Sequence, residues 1–231
     1  MEVPEVSQAS QVPVPEVSAT EPDGRWAYPE ITRPPLPAGS PAPFAEANTA
    51  GAHHADLREL VLPAPKGSER DKALRGEDGW LATKDFLAEY AEKEDREELG
   101  QLLTDYGLRH IAAGGWTTQD GTHARIYLLQ FGTGAAAEEL FEKIVEYDAP
   151  VYDLRGAPDP KFDDGYPNSK ANVEDVRRFA YDEAEPYDDE QVRQAYLSAG
   201  DTIAVVAQSR KGTAKAVPFQ QTVVLQSQLL G

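Results

Sequence analysis

The sequence contains no cysteine. That absence removes disulfides, thiolate nucleophiles, Cys-ligated zinc and iron–sulfur clusters together, and it fits any compartment. Basic residues are scarce as well: 22 lysines and arginines stand against 40 aspartates and glutamates, for a net charge of −18. Nucleic acid and anionic lipid headgroups select for clustered Lys and Arg, so nucleic acid is not an expected partner. No apolar run is long enough for a membrane span. The opening MEVPEVSQAS also lacks the basic and apolar regions of a signal peptide. A role outside the cytoplasm would therefore call for a targeting or anchor segment upstream of Met1.

Catalytic signatures are missing too. Neither a Gly-x-Ser-x-Gly elbow nor a Gly-x-x-x-x-Gly-Lys or Gly-x-Gly-x-x-Gly phosphate loop occurs, and no cofactor is expected. Four histidines are present, none in a metalloprotease or zinc spacing. His53 and His54 with Asp56 form a weak metal candidate, since three well-placed ligands are wanted. His110 and His123 fall in or beside expected strands, where a histidine is more often a surface or satisfied core residue than a base.

Proline, by contrast, is plentiful and uneven: 12 of the 18 prolines precede residue 66. Residues 1–52 are rich in Pro, Ala, Glu and Ser without a periodic apolar stripe, and read as a disordered arm or stalk. Within it, Arg33-Pro34-Pro35-Leu36-Pro37 has the form of a polyproline-helix ligand, a string that Pro-rich spacers often produce. Trp26, Tyr28 and Phe44 are its few large side chains. Residues 53–231 are long enough to bury one core and are expected to form a single domain.

Periodicity supplies the elements of that domain. Leu57, Leu60 and Val61 suit a short helix stopped by Pro63. Thr83 to Tyr106 is helical, with Thr83 as a cap, Phe86, Leu87, Tyr90 and Ala91 as one stripe, and Leu99, Leu102, Leu103 and Tyr106 as the next, closed by Gly107. The period then alternates over His110 to Thr117 and His123 to Phe131, joined by Gln119-Asp120-Gly121. Ala137, Leu140, Phe141, Ile144 and Val145 form a helical stripe. Further strands are expected over Val176 to Tyr181, Val192 to Ser198 and Thr202 to Gln208, and a helix over Val217 to Leu230 with Pro218 in its first turn.

Strand, turn, strand, Gly-containing loop and helix occur in that order twice. The expected fold is α+β: an antiparallel sheet of about five strands, with helices packed on one face, built from two ββα-like units.

Two regions outside the core attract attention. Acidic residues crowd Asp159, Asp163 and Asp164 and then Asp182, Glu183, Glu185, Asp188, Asp189 and Glu190. They offer oxygen ligands for calcium if the loops converge, although the spacing is not that of an EF-hand and a solvated acidic loop is the commoner outcome. Lys161, Phe162, Asp163, Asp164, Tyr166, Pro167 and Asn168 form the candidate contact surface, because tyrosine supplies contact area at low entropy cost and a loop of this length is either functional or simply mobile.

Gly115-Trp116-Thr117-Thr118-Gln119-Asp120-Gly121, Ile126-Tyr127-Leu128-Leu129-Gln130-Phe131 and Val217-Pro218-Phe219-Gln220-Gln221-Thr222-Val223 resemble phrases of actinobacterial envelope-associated proteins. In that uncharacterised group a Pro-rich stalk follows a membrane anchor and carries a small α+β extracytoplasmic domain; a looser likeness is to PsbP-like domains. The resemblance covers roughly residues 53–231 and implies fold and placement, not site residues. This chain shows neither a lipobox cysteine nor an anchor helix. The expectation is a non-enzymatic binding or sensor domain on a stalk at the cell envelope, taking a protein or small-molecule ligand. The alternatives are a cytoplasmic scaffold or cargo adaptor docking through its arm, and an enzyme using loop carboxylates.

Overall fold

A computed structural model of the chain describes residues 24–74, 78–166, 173–185 and 189–231. Among these, seven strands form one antiparallel sheet: β1 (Glu69–Arg70), β2 (His110–Thr117), β3 (His123–Gln130), β4 (Pro160–Phe162), β5 (Arg177–Glu183), β6 (Glu190–Ala199) and β7 (Thr202–Lys211), in the order β1-β2-β3-β7-β6-β5-β4. Two hairpins, β2–β3 and β6–β7, are joined through their second strands, with Ile126 opposite Val206. The mixed α+β class and the single antiparallel sheet agree with the sequence. The strand count does not: two edge strands of two and three residues are added, each too short to show a period of its own.

Four α-helices accompany the sheet: α1 (Thr83–Tyr90), α2 (Arg96–Asp105), α3 (Gly134–Ile144) and α4 (Ala216–Leu230). Thr83 is the first helical residue of α1 and Ala82 holds the capping position without a side-chain bond, so the expected threonine cap is displaced by one residue. Thr133 caps α3 by accepting from the Ala136 N–H at 3.2 Å. Gly107, at φ +72°, ends α2, and the Leu108 N–H reaches the Leu103 carbonyl at 3.0 Å.

The helices cover both faces, which corrects the one-face expectation. Ile111, Tyr127, Leu129, Tyr196, Ile203 and Val205 point toward α1, α2 and α3. Their neighbours Ala112, Ile126, Leu128, Leu197, Ala204 and Val206 point toward α4 and the 3₁₀ turn Leu57–Leu60. The physical reason lies in β3 and β7, where Ile126-Tyr127-Leu128-Leu129 and Ile203-Ala204-Val205-Val206 are apolar at successive positions. A strand apolar at both parities must be covered on both sides. The two strings of strand, strand and helix keep their order, yet α3 and α4 end on opposite faces.

Residues 24–52 contain no helix or strand, but they are fastened to the α4 face. Trp26 is 3% exposed and meets Trp116 edge-on at 6.5 Å. The Gln221 side chain accepts from the Trp26 N–H at 2.8 Å and donates to its carbonyl at 2.9 Å. The Tyr28 hydroxyl lies 3.0 Å from that of Thr222, and Arg33 Nε donates to the Gln228 carbonyl at 2.7 Å. The stretch from Gly24 onward is thus a strap, with its three large aromatic residues packed on the domain.

Candidate functional site

On the α1–α3 face the helices cover only one end of the sheet. Registers place side chains in rows across that face. Tyr127, Val205 and Tyr196 lie under the helices, followed by Arg125, Ala207 and Gln194, and then by Thr117, His123, Ser209 and Val192. Arg125 and Ala207 with the whole of the last row floor a cleft of about 550 Å³, walled by Glu69 to Ala73 on one side and by Glu89, Leu154 and Arg155 above. Its volume is that of an ordinary small-ligand pocket.

Arg125 occupies the centre. Its Nε donates to Asp71 Oδ2 at 2.6 Å, and its Nη1 lies 3.6 Å from Glu89 Oε2. Asp71 is itself held by its N–H on the Gly115 carbonyl at 3.0 Å and by the Ala73 N–H on Oδ1 at 2.8 Å. Burial would raise the Asp71 carboxyl, but the bonds from Arg125 and from backbone N–H groups outweigh it and hold the group below the usual carboxylate range. Gly115 makes this approach feasible: a Cβ there would lie 3.2 Å from Asp71 Cβ and 3.3 Å from Arg125 Cγ. Behind Arg125, burial pushes the Tyr127 phenol up to about 12, with the Arg125 charge opposing.

A polar chain crosses the floor's outer row. Thr117 Oγ1 lies 3.0 Å from His123 Nδ1, His123 Nε2 is 3.8 Å from Glu190 Oε1, and Ser209 Oγ donates to Glu190 Oε2 at 2.7 Å. Serine, carboxylate and imidazole are therefore neighbours, but with the carboxylate in the middle. In a hydrolytic triad the imidazole stands between hydroxyl and acid so that it can take the hydroxyl proton. Here Ser209 donates to a carboxylate, and His123 lies beyond it.

The residues singled out from sequence are placed elsewhere. Tyr166 of the contact loop is 3% exposed, edge-on to Phe219 at 6.3 Å and under the Arg178 guanidinium at 4.6 Å. Asp163 is buried, accepting from Arg193 Nη1 at 2.8 Å. Phe162 is half-buried beneath Tyr147, whose ring stacks on it at 4.5 Å. Lys161 and Asp164 are exposed, whereas Pro167 and Asn168 lie outside the described residues. The tyrosine that motivated the surface is a core residue, because it plugs the gap between β5 and α4.

Among the described residues no three His, Asp or Glu side chains converge as a metal site. In the acidic crowd Asp163 and Asp182 flank the Arg193 guanidinium, at 2.8 and 3.6 Å, in place of a calcium ion; Asp188 lies outside the described residues. Burial, and then repulsion by Asp163, keep the Asp182 carboxyl above its ordinary value. His53 turns inward, away from His54, with both ring nitrogens engaged by Asp201 and the Leu230 carbonyl, so the His53–His54–Asp56 metal candidate is withdrawn.

Asp71, Glu89, Arg125 and Arg155 escaped the sequence because they belong to no motif, and Glu190 stood out only as a member of the acidic crowd. One signal was present: Arg125 stands at an inward-facing position of a strand whose same-face neighbours are Tyr127 and Leu129. A cation there needs both a partner and an opening.

No family model matches this sequence, and no curated protein does. Among solved structures it is similar to the extracellular domain of PknH from Mycobacterium tuberculosis, with 7% identity over 56% of this chain and 68% of that one, at a TM-score of 0.35.

Proposed function

We propose that this chain is a non-enzymatic binding or sensor domain that captures a small ligand in the cleft floored by Arg125, Ala207 and Ser209, and that it works at the cell envelope, outside the cytoplasm, on its N-terminal arm. One observation carries the binding site: a half-buried guanidinium and a row of hydroxyl, imidazole and carboxylate groups stand at the uncovered end of an otherwise helix-covered sheet face. Leaving such groups uncovered is a departure from close packing that a ligand site explains. The order Ser209–Glu190–His123 supports binding over hydrolysis. The placement at the envelope rests on the resemblance of residues 115–121, 126–131 and 217–223 to stalked extracytoplasmic domains.

Native mass spectrometry after incubation with an envelope extract tests the site. A small molecule should be retained by the wild type and lost in Ala207→Trp, which fills the floor. Retention by both proteins would place the ligand elsewhere, and retention by neither would remove the reading. Removing residues 1–23 should leave binding intact, because the strap from Gly24 stays in place; loss of the ligand would instead favour an adaptor that docks through its arm. Recovery of the full-length protein in the cytosolic fraction would overturn the placement.

A further inference from the structure

We infer that the ligand is a small organic anion whose carboxylate or phosphate is held by Arg96 and Arg155 beside Arg125; this rests on the cleft being the binding site. Next to Arg125 the cleft continues into a lobe of about 530 Å³ lined by Ala73, Ala88, Glu89, Arg96, Arg125 and Arg155. Three guanidinium groups thus face one carboxylate, in a chain where acids outnumber bases 40 to 22.

Helix capping accounts for part of this arrangement. The α1 helix is eight residues long and has no basic residue in its last turn. Arg96 donates to the Ala91 and Ala88 carbonyls at 3.0 and 3.3 Å, and Arg155 Nη1 donates to the Ala88 carbonyl at 2.7 Å, which suits the negative end of a helix. A guanidinium has five N–H donors, so Arg96 spends two and Arg155 one.

Capping does not explain why two cations meet at one carbonyl with a third beside them. Arg125 has Asp71 and Glu89, whereas neither Arg96 nor Arg155 forms an ion pair with a carboxylate among the described residues. Their remaining donors form a cationic lobe that an oxyanion would neutralise by paired N–H···O bonds. The larger lobe, with Leu154, Val192 and Ala207 among hydroxyl groups, has room for an organic body that a bare inorganic ion would not fill. Low-dielectric walls around a cationic lobe also concentrate anions against the repulsion of an acidic surface.

Titration of the ¹⁵N-labelled full chain at fixed ionic strength, with citrate, glucose 6-phosphate, glucose and spermidine as probes, tests this. Citrate or glucose 6-phosphate should shift the amides of residues 96, 125, 155 and 209, with affinity falling about tenfold in Arg155→Gln and further in Arg96→Gln/Arg155→Gln. Arg33→Gln, on the strap, should leave it unchanged. Arg155 is exposed, so its single variant decides the matter if the double variant fails to fold. Citrate or glucose 6-phosphate acting equally on wild type and Arg155→Gln would overturn the assignment. Cleft shifts from glucose or spermidine alone would overturn the anion and keep the cleft; shifts from none of the four would remove both.

Discussion

Asp201, in the turn between β6 and β7, accepts from the backbone N–H of His53 at 3.1 Å and lies 2.7 Å from its ring Nδ1, across 148 residues of sequence. His53 Nε2 lies 2.9 Å from the Leu230 carbonyl, so both ring nitrogens are engaged. Thr202 Oγ1 and Gln130 Nε2 complete the carboxylate's partners at 3.0 and 3.1 Å. One buried pair therefore ties the strap, the central hairpin and the C-terminal turn of α4 together.

Replacing His53 by alanine removes the ring's contacts with Asp201 and the Leu230 carbonyl, while the backbone N–H of residue 53, Thr202 and Gln130 still serve the Asp201 side chain. Leaving a buried polar group short of a partner costs about 1–3 kcal/mol. The expected outcome is a lowered unfolding midpoint together with faster amide exchange over the strap. Unchanged exchange at residues 26–53 would show that the strap is held by its aromatic contacts instead.

Gly200 supplies the steric side of the same junction. Its φ is +52°, and a Cβ there would lie 2.2 Å from the Gly51 carbonyl oxygen, which accepts from the Asp201 N–H at 2.9 Å. Gly200→Ala should cost about 1–2 kcal/mol for the left-handed backbone alone, and more because the strap must move. Gly156→Ala is the control: φ is +77° and nothing lies within 4 Å of the added atom. Equal losses in urea unfolding would mean that the strap yields without cost.

This junction also shows what the sequence could and could not convey. The β2–β3 hairpin, α2, α3, the β6–β7 hairpin and α4 were legible because their apolar residues repeat at the period of the element, with Gly107 and Pro218 marking ends. The two-faced sheet was legible in principle, since Ile203-Ala204-Val205-Val206 does not alternate. What stayed hidden depends on partners remote in sequence. Trp26 looks like a stray aromatic in a Pro-rich arm until Gln221 supplies both halves of its backbone pairing. Arg125 and Asp71 are 54 residues apart, and no spacing rule connects them. Tyr166 misled in the opposite direction: a tyrosine in a long acidic loop suggested a surface, and its ring is buried against Phe219.

Gln226 is the second glutamine of α4 that stands in for a strand. Its Nε2 donates to the Leu60 carbonyl and its Oε1 accepts from the Leu62 N–H, both at 2.9 Å, in a fully buried setting. Gln226→Leu keeps the volume but leaves two buried backbone groups without partners, at about 1–3 kcal/mol each. Chemical denaturation should show a loss of that order, with Gln228→Ala, whose side chain is exposed, close to wild type. A neutral Gln226→Leu would mean that water or a shifted backbone replaces both bonds.

Asp120, in the β2–β3 turn, gives the fold an acid-sensitive fastening. Its Oδ1 accepts from Thr118 Oγ1 at 2.6 Å and from Thr122 Oγ1 and N–H at 2.9 and 3.2 Å, while Lys215 Nζ reaches Oδ2 at 2.8 Å from the loop before α4. Burial would raise its pKa, but the bonds from Lys215, Thr118 and Thr122 prevail and hold the carboxyl well below its ordinary value of 3.8. A group whose folded pKa is depressed contributes stability that is present above its unfolded pKa and is lost as pH falls toward the folded one. Asp120→Asn should therefore be less stable than wild type at pH 7, and the difference should shrink below about pH 4. Urea unfolding of both proteins at pH 7, 5 and 3 measures the gap. A gap that stays constant with pH would show that the ionised carboxylate adds nothing beyond the hydrogen bonds an amide can also accept.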